Sequence, residues 1–262
     1  MQPMENSRRN SLGRGHTPKT RDESAVERLY LELRDRAMRY DFRPGTRINE
    51  QALGRELGVS RAPLREALNR LEAEGLLTFV MNKGFFRKNI SVDEVLDLYQ
   101  VRIALERRAV FLALRRATDN EIQAVQEYWS SVMANSSSMT SADLLVADEE
   151  FHRRMIGLAK NKELSGFMEI ITRRIHIARN IDIEQSAWNA KAFDAHYEVL
   201  RCLRNRDQEG ALKSITDHID MSRERAVTIA REMVAKFFLT GISDDDNIIE
   251  VPRSMGLRES GV

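Results

Sequence analysis

The sequence predicts a mainly α-helical protein, in which a small N-terminal module of short helices and one hairpin precedes an all-α antiparallel helical bundle. Three observations favour this fold class. Apolar residues recur at helical spacing along most of the chain. Aromatic residues make up 6% and only 5 of 262 residues are proline, which disfavours a many-turned β architecture. A hydrophobic fraction of 42% excludes a wholly disordered chain.

Composition also limits the class of protein. No apolar run approaches the ~18 residues needed to cross a bilayer, so no membrane segment is expected. The first twenty residues are polar and basic, without the apolar stretch of a secretory signal. The single cysteine, Cys202, cannot form an internal disulfide, which fits a reducing compartment. We therefore expect a cytoplasmic protein without a membrane partner.

Charge is divided unequally along the chain. Residues 1–91 contain 18 basic and 12 acidic residues, a balance of +6, whereas 92–262 contain 23 and 28, a balance of −5. A basic first third suggests contact with a polyanion, although surface charge also varies by chance. We predict four segments: a disordered basic tail at 1–22, a small module at 23–90 that would meet the polyanion, an all-helical domain at 91–239 and a flexible tail at 240–262.

The N-terminal module begins with two predicted helices. The first runs from Ala25 to Met38, where apolar side chains recur every four residues. The sequence Arg43-Pro44-Gly45 breaks the helical pattern. Asn49 is expected to cap a second, short helix over 50–57, which Gly58 ends in the left-handed conformation available to glycine.

A third helix and a hairpin complete this module. Ser60 is expected to cap the third helix, which stops near Glu74. Two runs of strand-forming residues, 76–81 and 85–87, flank a turn at 82–84 and predict a hairpin. Two short helices followed by a hairpin describe a winged helix-turn-helix.

The third helix carries long hydrogen-bond donors on its exposed face. Arg61 and Arg65 lie four residues apart, opposite the apolar side of the helix. An arginine fork can bond guanine O6 and N7 in the major groove. The alternative is that both arginines are merely solvated, as helix arginines usually are. The expected DNA contacts are Arg61, Arg65, Ser60, Asn69, Lys83 and Gly84.

The residues of this module also occur at characteristic fixed spacings. The positions concerned are Pro44 to Glu50, Leu53, Gly58 to Leu68 and Leu71 to Leu76. In this pattern the chain resembles the GntR family of bacterial transcription regulators. The resemblance implies that Arg61 and Arg65 touch the operator and that Gly84 lies near the minor groove. Some relatives have a DNA-contacting arginine where this chain has Gln51, whose amide can still bond a base edge or a phosphate.

The second domain is helical from about Ser91 to Leu239. Breaks are predicted near Thr118, 135–141, Lys160-Asn161, 182–185 and Arg206-Asp207. These breaks divide the domain into about six helices.

Four polar residues in this domain have the spacing of a metal site. Asp148 and His152 lie four residues apart on one helix face. His196 and His218 each lie 11 residues from Asp207, the centre of the turn between their helices. In an antiparallel pair both stand about 16 Å from the turn and therefore face each other. A divalent cation would satisfy four buried polar groups, although a single core histidine is more often only hydrogen-bonded.

Three imidazoles and one carboxylate suit Zn²⁺, Ni²⁺ or Mn²⁺, without choosing among them. Positions left open on the ion could take water or a carboxylate ligand. Two other interpretations are a purely structural metal site and a hydrolase with metal-activated water. Against the hydrolase, the only further carboxylates beside the quartet are Glu149 and Glu150, and Glu149 points about 100° away from Asp148.

Segments 102–106, 148–152, 195–196 and 207–218 together resemble the FCD ligand-binding domain of FadR-like GntR regulators, in its metal-binding, six-helix branch. The resemblance implies a metal held by Asp148, His152, His196 and His218. It also implies that Arg102 faces the effector cavity, with a salt bridge to Glu106 as the alternative. Further candidate effector contacts are Arg173, Arg174 and Asn180.

The resemblances and the site patterns together predict a function. We expect a homodimeric regulator, usually a repressor, that binds a palindromic duplex operator and responds to a small organic acid. We do not expect an enzyme.

Overall fold

The computed structural model describes residues 21–39, 41–89, 91–185, 190–221 and 223–239. The two predicted tails lie outside the described residues, except that Arg21 and Asp22 belong to the first helix. The N-terminal module contains helices α1 (Arg21–Arg39), α2 (Glu50–Glu56) and α3 (Arg61–Ala73) and strands β1 (Leu77–Val80) and β2 (Gly84–Arg87). The second domain contains α4 (Val92–Arg116), α5 (Asp119–Asn135), α6 (Ser141–Gly157), α7 (Lys162–Gln185), α8 (Ala190–Arg204), α9 (Gln208–Ile219) and α10 (Arg223–Leu239), with a 3-10 turn at Ser136–Ser138. The predicted fold class is confirmed.

The N-terminal module has its own hydrophobic core between α1 and α3. Leu29 and Leu33 of α1 pack with Leu64, Leu68 and Leu71 of α3, and all five are buried. Both stripes follow the helical spacing read from the sequence. This core fixes α3 with its opposite face outward.

The helix ends of this module follow their capping residues, with one exception. The Asn49 side chain accepts a hydrogen bond from the Ala52 backbone N–H at 3.0 Å. Gly58 has a φ of +64°, so glycine is needed where α2 ends. Ser60 occupies the N-cap position of α3 but makes no side-chain capping bond. The predicted cap position is therefore confirmed, but the expected side-chain hydrogen bond is absent and the residue is exposed.

The hairpin contains the predicted strands and one unforeseen neighbour. β1 and β2 are antiparallel, with Val80 opposite Gly84, and Asn82 in the turn has a φ of +62°. The chain before α2 pairs with β2 through a bridge between Arg47 and Phe86. This pairing ties the hairpin to the start of the helix-turn-helix.

The second domain has seven α-helices among the described residues, one more than the sequence predicted. The missed break follows α9, where Asp220 turns to an extended ψ of 132° without glycine or proline nearby. α7 continues through the predicted break at 182–185, and residues 186–189 lie outside the described part. The six-helix expectation is therefore wrong. Asp207, by contrast, caps α9 as predicted, accepting from the Gly210 N–H at 2.9 Å.

Candidate functional site

The metal-type quartet converges in the core of the helical domain. Asp148 and His152 come from α6, His196 from α8 and His218 from α9. One ligand atom from each lies within 4.8 Å of the others. The first three side chains are buried and His218 is partly buried. The four side chains therefore converge, as the i to i+4 spacing on α6 and the equal distances of His196 and His218 from Asp207 predicted.

Nitrogen and oxygen atoms face one another closely in this cluster. Nε2 of His152 and Nε2 of His218 are 3.2 Å apart, and their rings stack at 5.2 Å with an interplanar angle of 12°. Nε2 of His196 lies 3.1 Å from Oδ1 of Asp148. The His196 ring packs on Trp129 and Phe151, each with a centroid distance of 4.2 Å. Aromatic packing therefore fixes this imidazole before any ligand binds.

Glu106 orients His152 through Nδ1, the ring nitrogen that does not face the cluster. Its Oε2 lies 2.7 Å from Nδ1 of His152, and its Oε1 accepts a hydrogen bond from Nε of Arg102 at 2.7 Å. Burial alone would raise the pKa of Glu106, but His152 and Arg102 lower it to about 2. An ionised Glu106 accepts the Nδ1–H of His152 and leaves the Nε2 lone pair directed at the cluster.

Two histidines of the cluster, His152 and His218, favour their neutral, metal-ligating form. Burial lowers the pKa of His152, against the opposing effect of Glu106. Burial and then the neighbouring His196 and His152 lower the pKa of His218 well below its ordinary value. A neutral imidazole offers one lone pair to a cation, and a set of three such nitrogens and one carboxylate fits a divalent transition metal.

Arg179 on α7 belongs to this site, and the sequence analysis missed it. Its Nη2 contacts Oδ2 of Asp148, and its Nη1 lies 4.0 Å from Oε1 of Glu149. Burial and then the nearby Arg102 lower the pKa of Arg179 to about 9. One signal was available: Arg179 lies four residues after Ile175 and eight after Ile171, on the buried stripe of α7.

The salt bridge between Arg102 and Glu106, which was the alternative for this residue, is present, and the contact of Arg102 with an effector stays a prediction. Arg102 is only 3% exposed. Its Nη2 is buried and has no hydrogen-bond partner within the described residues. A buried guanidinium nitrogen without a partner is costly, so this atom is available to an anionic ligand.

The other three candidate effector residues do not join the quartet. Nε of Arg173 lies 2.9 Å from Oε2 of Glu74, at the end of α3. Nη2 of Arg174 lies 2.6 Å from Oε1 of Glu94, near the start of α4. The amide of Asn180 donates to Glu184 on its own helix at 3.2 Å. Arg173 and Arg174 are therefore paired with Glu74 and Glu94 and do not line a cavity at the quartet, while the role of Asn180 stays a prediction.

The predicted DNA-contacting residues lie on α2, α3 and the hairpin or directly beside them, and most of them are exposed. Arg61 is 78% exposed and Arg65 37% exposed, and Asn69 follows on the same stripe. Ser60, Gln51 and Lys83 are also exposed, while Gly84 is partly buried at the start of β2 with a φ of +90°. Arg47, which the sequence analysis did not select, is exposed beside Gly84.

Comparison with known proteins agrees with both halves of this description. Residues 25–86 match the family described as bacterial regulatory proteins, gntR family, and residues 97–221 match the FCD domain. The chain is 38% identical over 204 residues to the Nta operon transcriptional regulator of Aminobacter aminovorans, covering 77% of this chain and 94% of that protein. It is 25% identical over 205 residues to the HTH-type transcriptional regulator YdhC of Bacillus subtilis, covering 78% and 92%.

Solved structures show the same fold. The chain of McbR/YncC from E. coli aligns with a TM-score of 0.59 at 19% identity, covering 82% of this chain and 97% of that one. Within the described residues, no helix combines the length and apolar content needed to cross a membrane. The relatives are regulators of transcription, not enzymes.

Proposed function

Because the chain belongs to the GntR family of bacterial regulators and carries an FCD domain, we propose that it is a homodimeric repressor acting in the cytoplasm, released from its operator by a small carboxylate bound beside a divalent metal ion. One observation carries the sensing half of this proposal. The quartet of Asp148, His152, His196 and His218 lies beside two buried arginines, Arg102 and Arg179.

The DNA-binding half rests on the exposed face of α3 and the hairpin. Arg61 and Arg65 read base edges in the major groove, where a bidentate arginine discriminates by about 1–3 kcal/mol. The remaining contacts we propose are to the backbone and groove walls: Ser60, Gln51, Asn69, Lys83 and Gly84. One such module covers a single half-site, so a two-fold dimer matches a palindromic operator.

The proposed metal binding is supported by the chemistry of the four ligand side chains and by the charge of the site. Zn²⁺, Ni²⁺ and Mn²⁺ all accept three imidazoles and one carboxylate. When bound, the ion would supply a Lewis-acidic anchor for a ligand oxygen. Arg102 and Arg179 balance the charges of Glu106 and Asp148, so a dication leaves a net positive charge in a buried site. An anionic carboxylate would compensate that charge.

Helix α7 connects the sensing site to the DNA-binding module. Arg179 lies at Asp148, whereas Arg173, six residues or about 9 Å earlier along the helix, pairs with Glu74 at the end of α3. A ligand that competes for Asp148 or Arg179 therefore acts on the same helix that holds α3. Its effect on DNA binding equals its difference in affinity for the two states of the protein.

A structural metal site is the second candidate. Four protein donors already complete the tetrahedral set that structural zinc prefers, and no open position is then required. In that case the carboxylate binds elsewhere or is absent.

Thermal denaturation separates these candidates. Protein loaded with Zn²⁺, Ni²⁺ or Mn²⁺ and protein stripped with EDTA are screened against a panel of mono-, di- and tricarboxylates. We expect one carboxylate to raise the melting temperature only when metal is present, and to weaken DNA binding by roughly 5- to 150-fold. Equal stabilisation with and without metal would favour the structural site.

A further inference from the structure

An acidic side chain lies within the proposed DNA-reading face. Glu50 is the first residue of α2, and its side chain is only 19% exposed. Its Oε2 lies 3.5 Å from Nε of Arg65 and 4.0 Å from Nε of Arg61. Its Oε1 points to the hairpin, since a Cβ added to Gly84 would lie 3.4 Å from that atom. One carboxylate thus touches both base-reading arginines and borders the hairpin.

The two arginines are held unequally. The Arg65 guanidinium lies 5.8 Å from the ring centroids of both Phe79 and Phe85, which belong to the hairpin. With Glu50, three elements therefore surround Arg65. Among the described residues, Arg61 has the longer contact to Glu50 alone, and its side chain is mostly exposed. Arg65 is consequently preorganised, while Arg61 is free to adjust.

A carboxylate at this place has an electrostatic cost. DNA phosphates repel it, and this repulsion acts on every DNA sequence alike. The Glu50 carboxylate also sets the direction of the Arg65 guanidinium. This direction affects binding only on a sequence whose bases present matching hydrogen-bond acceptors. The repulsion weakens binding to every sequence, whereas the fixed direction of the guanidinium strengthens binding to the matching sequence alone. The second effect therefore raises the ratio of specific to non-specific affinity.

We propose that Glu50 is a positioning and specificity-determining residue, which orients Arg65 for base reading and lowers affinity for non-operator DNA. This proposal rests on the proposed DNA-binding function. A simpler role is that Glu50 stabilises the N-terminus of α2, as acidic residues do in a first helical turn. That role changes stability but leaves the affinity ratio and its salt dependence unaltered.

The test compares two duplexes bound by the full-length, metal-loaded protein. The first is selected by the wild-type protein from a randomised duplex library, and the second is a scrambled version of it. For E50Q we expect the Kd for the selected duplex to rise about tenfold. The Kd for the scrambled duplex should fall about threefold. The slope of the logarithm of the binding constant against the logarithm of the salt concentration should steepen by up to about one.

Glu66, exposed on α3, provides the charge-matched control. E66Q removes the same charge from the same module, and its affinity ratio should stay within about twofold of the wild type. A cycle with R65A tests the route of action. If Glu50 acts through Arg65, E50Q should no longer weaken binding to the selected duplex in the R65A background.

Three results decide against the proposal. It is overturned if E50Q keeps the wild-type ratio, if it behaves like E66Q, or if its loss on the selected duplex persists undiminished in R65A. Should E50Q melt below the assay temperature, E50D decides: it keeps the charge but withdraws the carboxylate by one methylene, so a wild-type ratio overturns the proposal. A wild-type protein that enriches no sequence from the library instead contradicts the proposed function itself.

Discussion

At the scale of single residues, the sensing site was only partly predictable. The quartet could be predicted because i to i+4 spacing and register around a capped turn are local properties of the sequence. Arg179 was missed although it lies on the buried stripe of α7, since most helix arginines are exposed and its pairing with Asp148 joins two different helices. Which ring nitrogen of His152 can bind a metal likewise depends on Glu106, which lies 46 residues away in the sequence.

Removal of one ligand should empty the proposed metal site. For His196→Ala we expect the metal content of the purified protein, measured by plasma mass spectrometry, to fall well below that of the wild type, because three donors bind a cation more weakly than four. His176→Ala is the matched control, since His176 pairs with Glu149 outside the quartet. Full metal occupancy in His196→Ala would exclude His196 as a required ligand.

Glu106 should tune metal affinity without being a ligand. In Glu106→Gln, the amide no longer presents a charged acceptor to Nδ1 of His152, so the ring is less firmly oriented and less basic. We expect metal affinity, measured by competition with a chromogenic chelator, to fall about 10- to 100-fold. Glu150→Gln, which changes an acid paired with Arg153 on the outer face of α6, should leave the affinity unchanged. Equal affinities for both variants would argue against an orienting role.

At the scale of elements, helix ends were predictable where a capping residue marks them. Thr118 and Asp207 both cap the helices that follow them. The break after α9 was missed because no glycine or proline stands near Asp220, in contrast to the breaks at Pro44-Gly45 and Gly58 in the N-terminal module. The pairing of Arg47 with Phe86 was also missed, because a single bridge leaves no periodic signal in the sequence.

The cap at Asp207 should contribute measurably to stability. Its carboxylate accepts from the Gly210 N–H, and the turn it forms sets His196 and His218 at the same level. For Asp207→Ala we expect the free energy of unfolding to fall by about 1 kcal/mol. Urea denaturation of the metal-free protein measures this change. Asp217→Ala, which removes an exposed ion pair with Lys213, should cost less than about 0.5 kcal/mol, and equal losses in the two variants would contradict the capping role.

At the scale of the whole molecule, the division into two domains followed from the sequence, but their contact did not. The charge asymmetry and the change from a hairpin to continuous helices locate the boundary near residue 90. The positions of Arg173 and Arg174 depend on how the domains pack. In the structure, Oε1 of Glu74 accepts a hydrogen bond from Tyr30 and Oε2 of Glu74 forms an ion pair with Arg173, so α1, α3 and α7 meet at one carboxylate.

This junction should transmit the ligand's effect to DNA. In Arg173→Ala, α7 loses its ion pair with Glu74 at the end of α3. A movement of α7 caused by a ligand near Asp148 should therefore change the position of α3 less. The carboxylate used is the one from the panel that most stabilises the metal-loaded protein. We expect the factor by which this carboxylate weakens DNA binding to be about 2- to 30-fold smaller in the variant than in the wild type. The carboxylate's own affinity in the absence of DNA should change little.

Linkage gives this prediction an internal check. If the carboxylate weakens DNA binding by a given factor, DNA must weaken carboxylate binding by the same factor, in the wild type and in the variant. Arg201→Ala is the control, because Arg201 is exposed and pairs with Glu198 on its own helix, α8. A wild-type coupling factor in Arg173→Ala, obtained from both directions of the linkage, would mean that the signal leaves the helical domain by a route other than the Arg173–Glu74 pair.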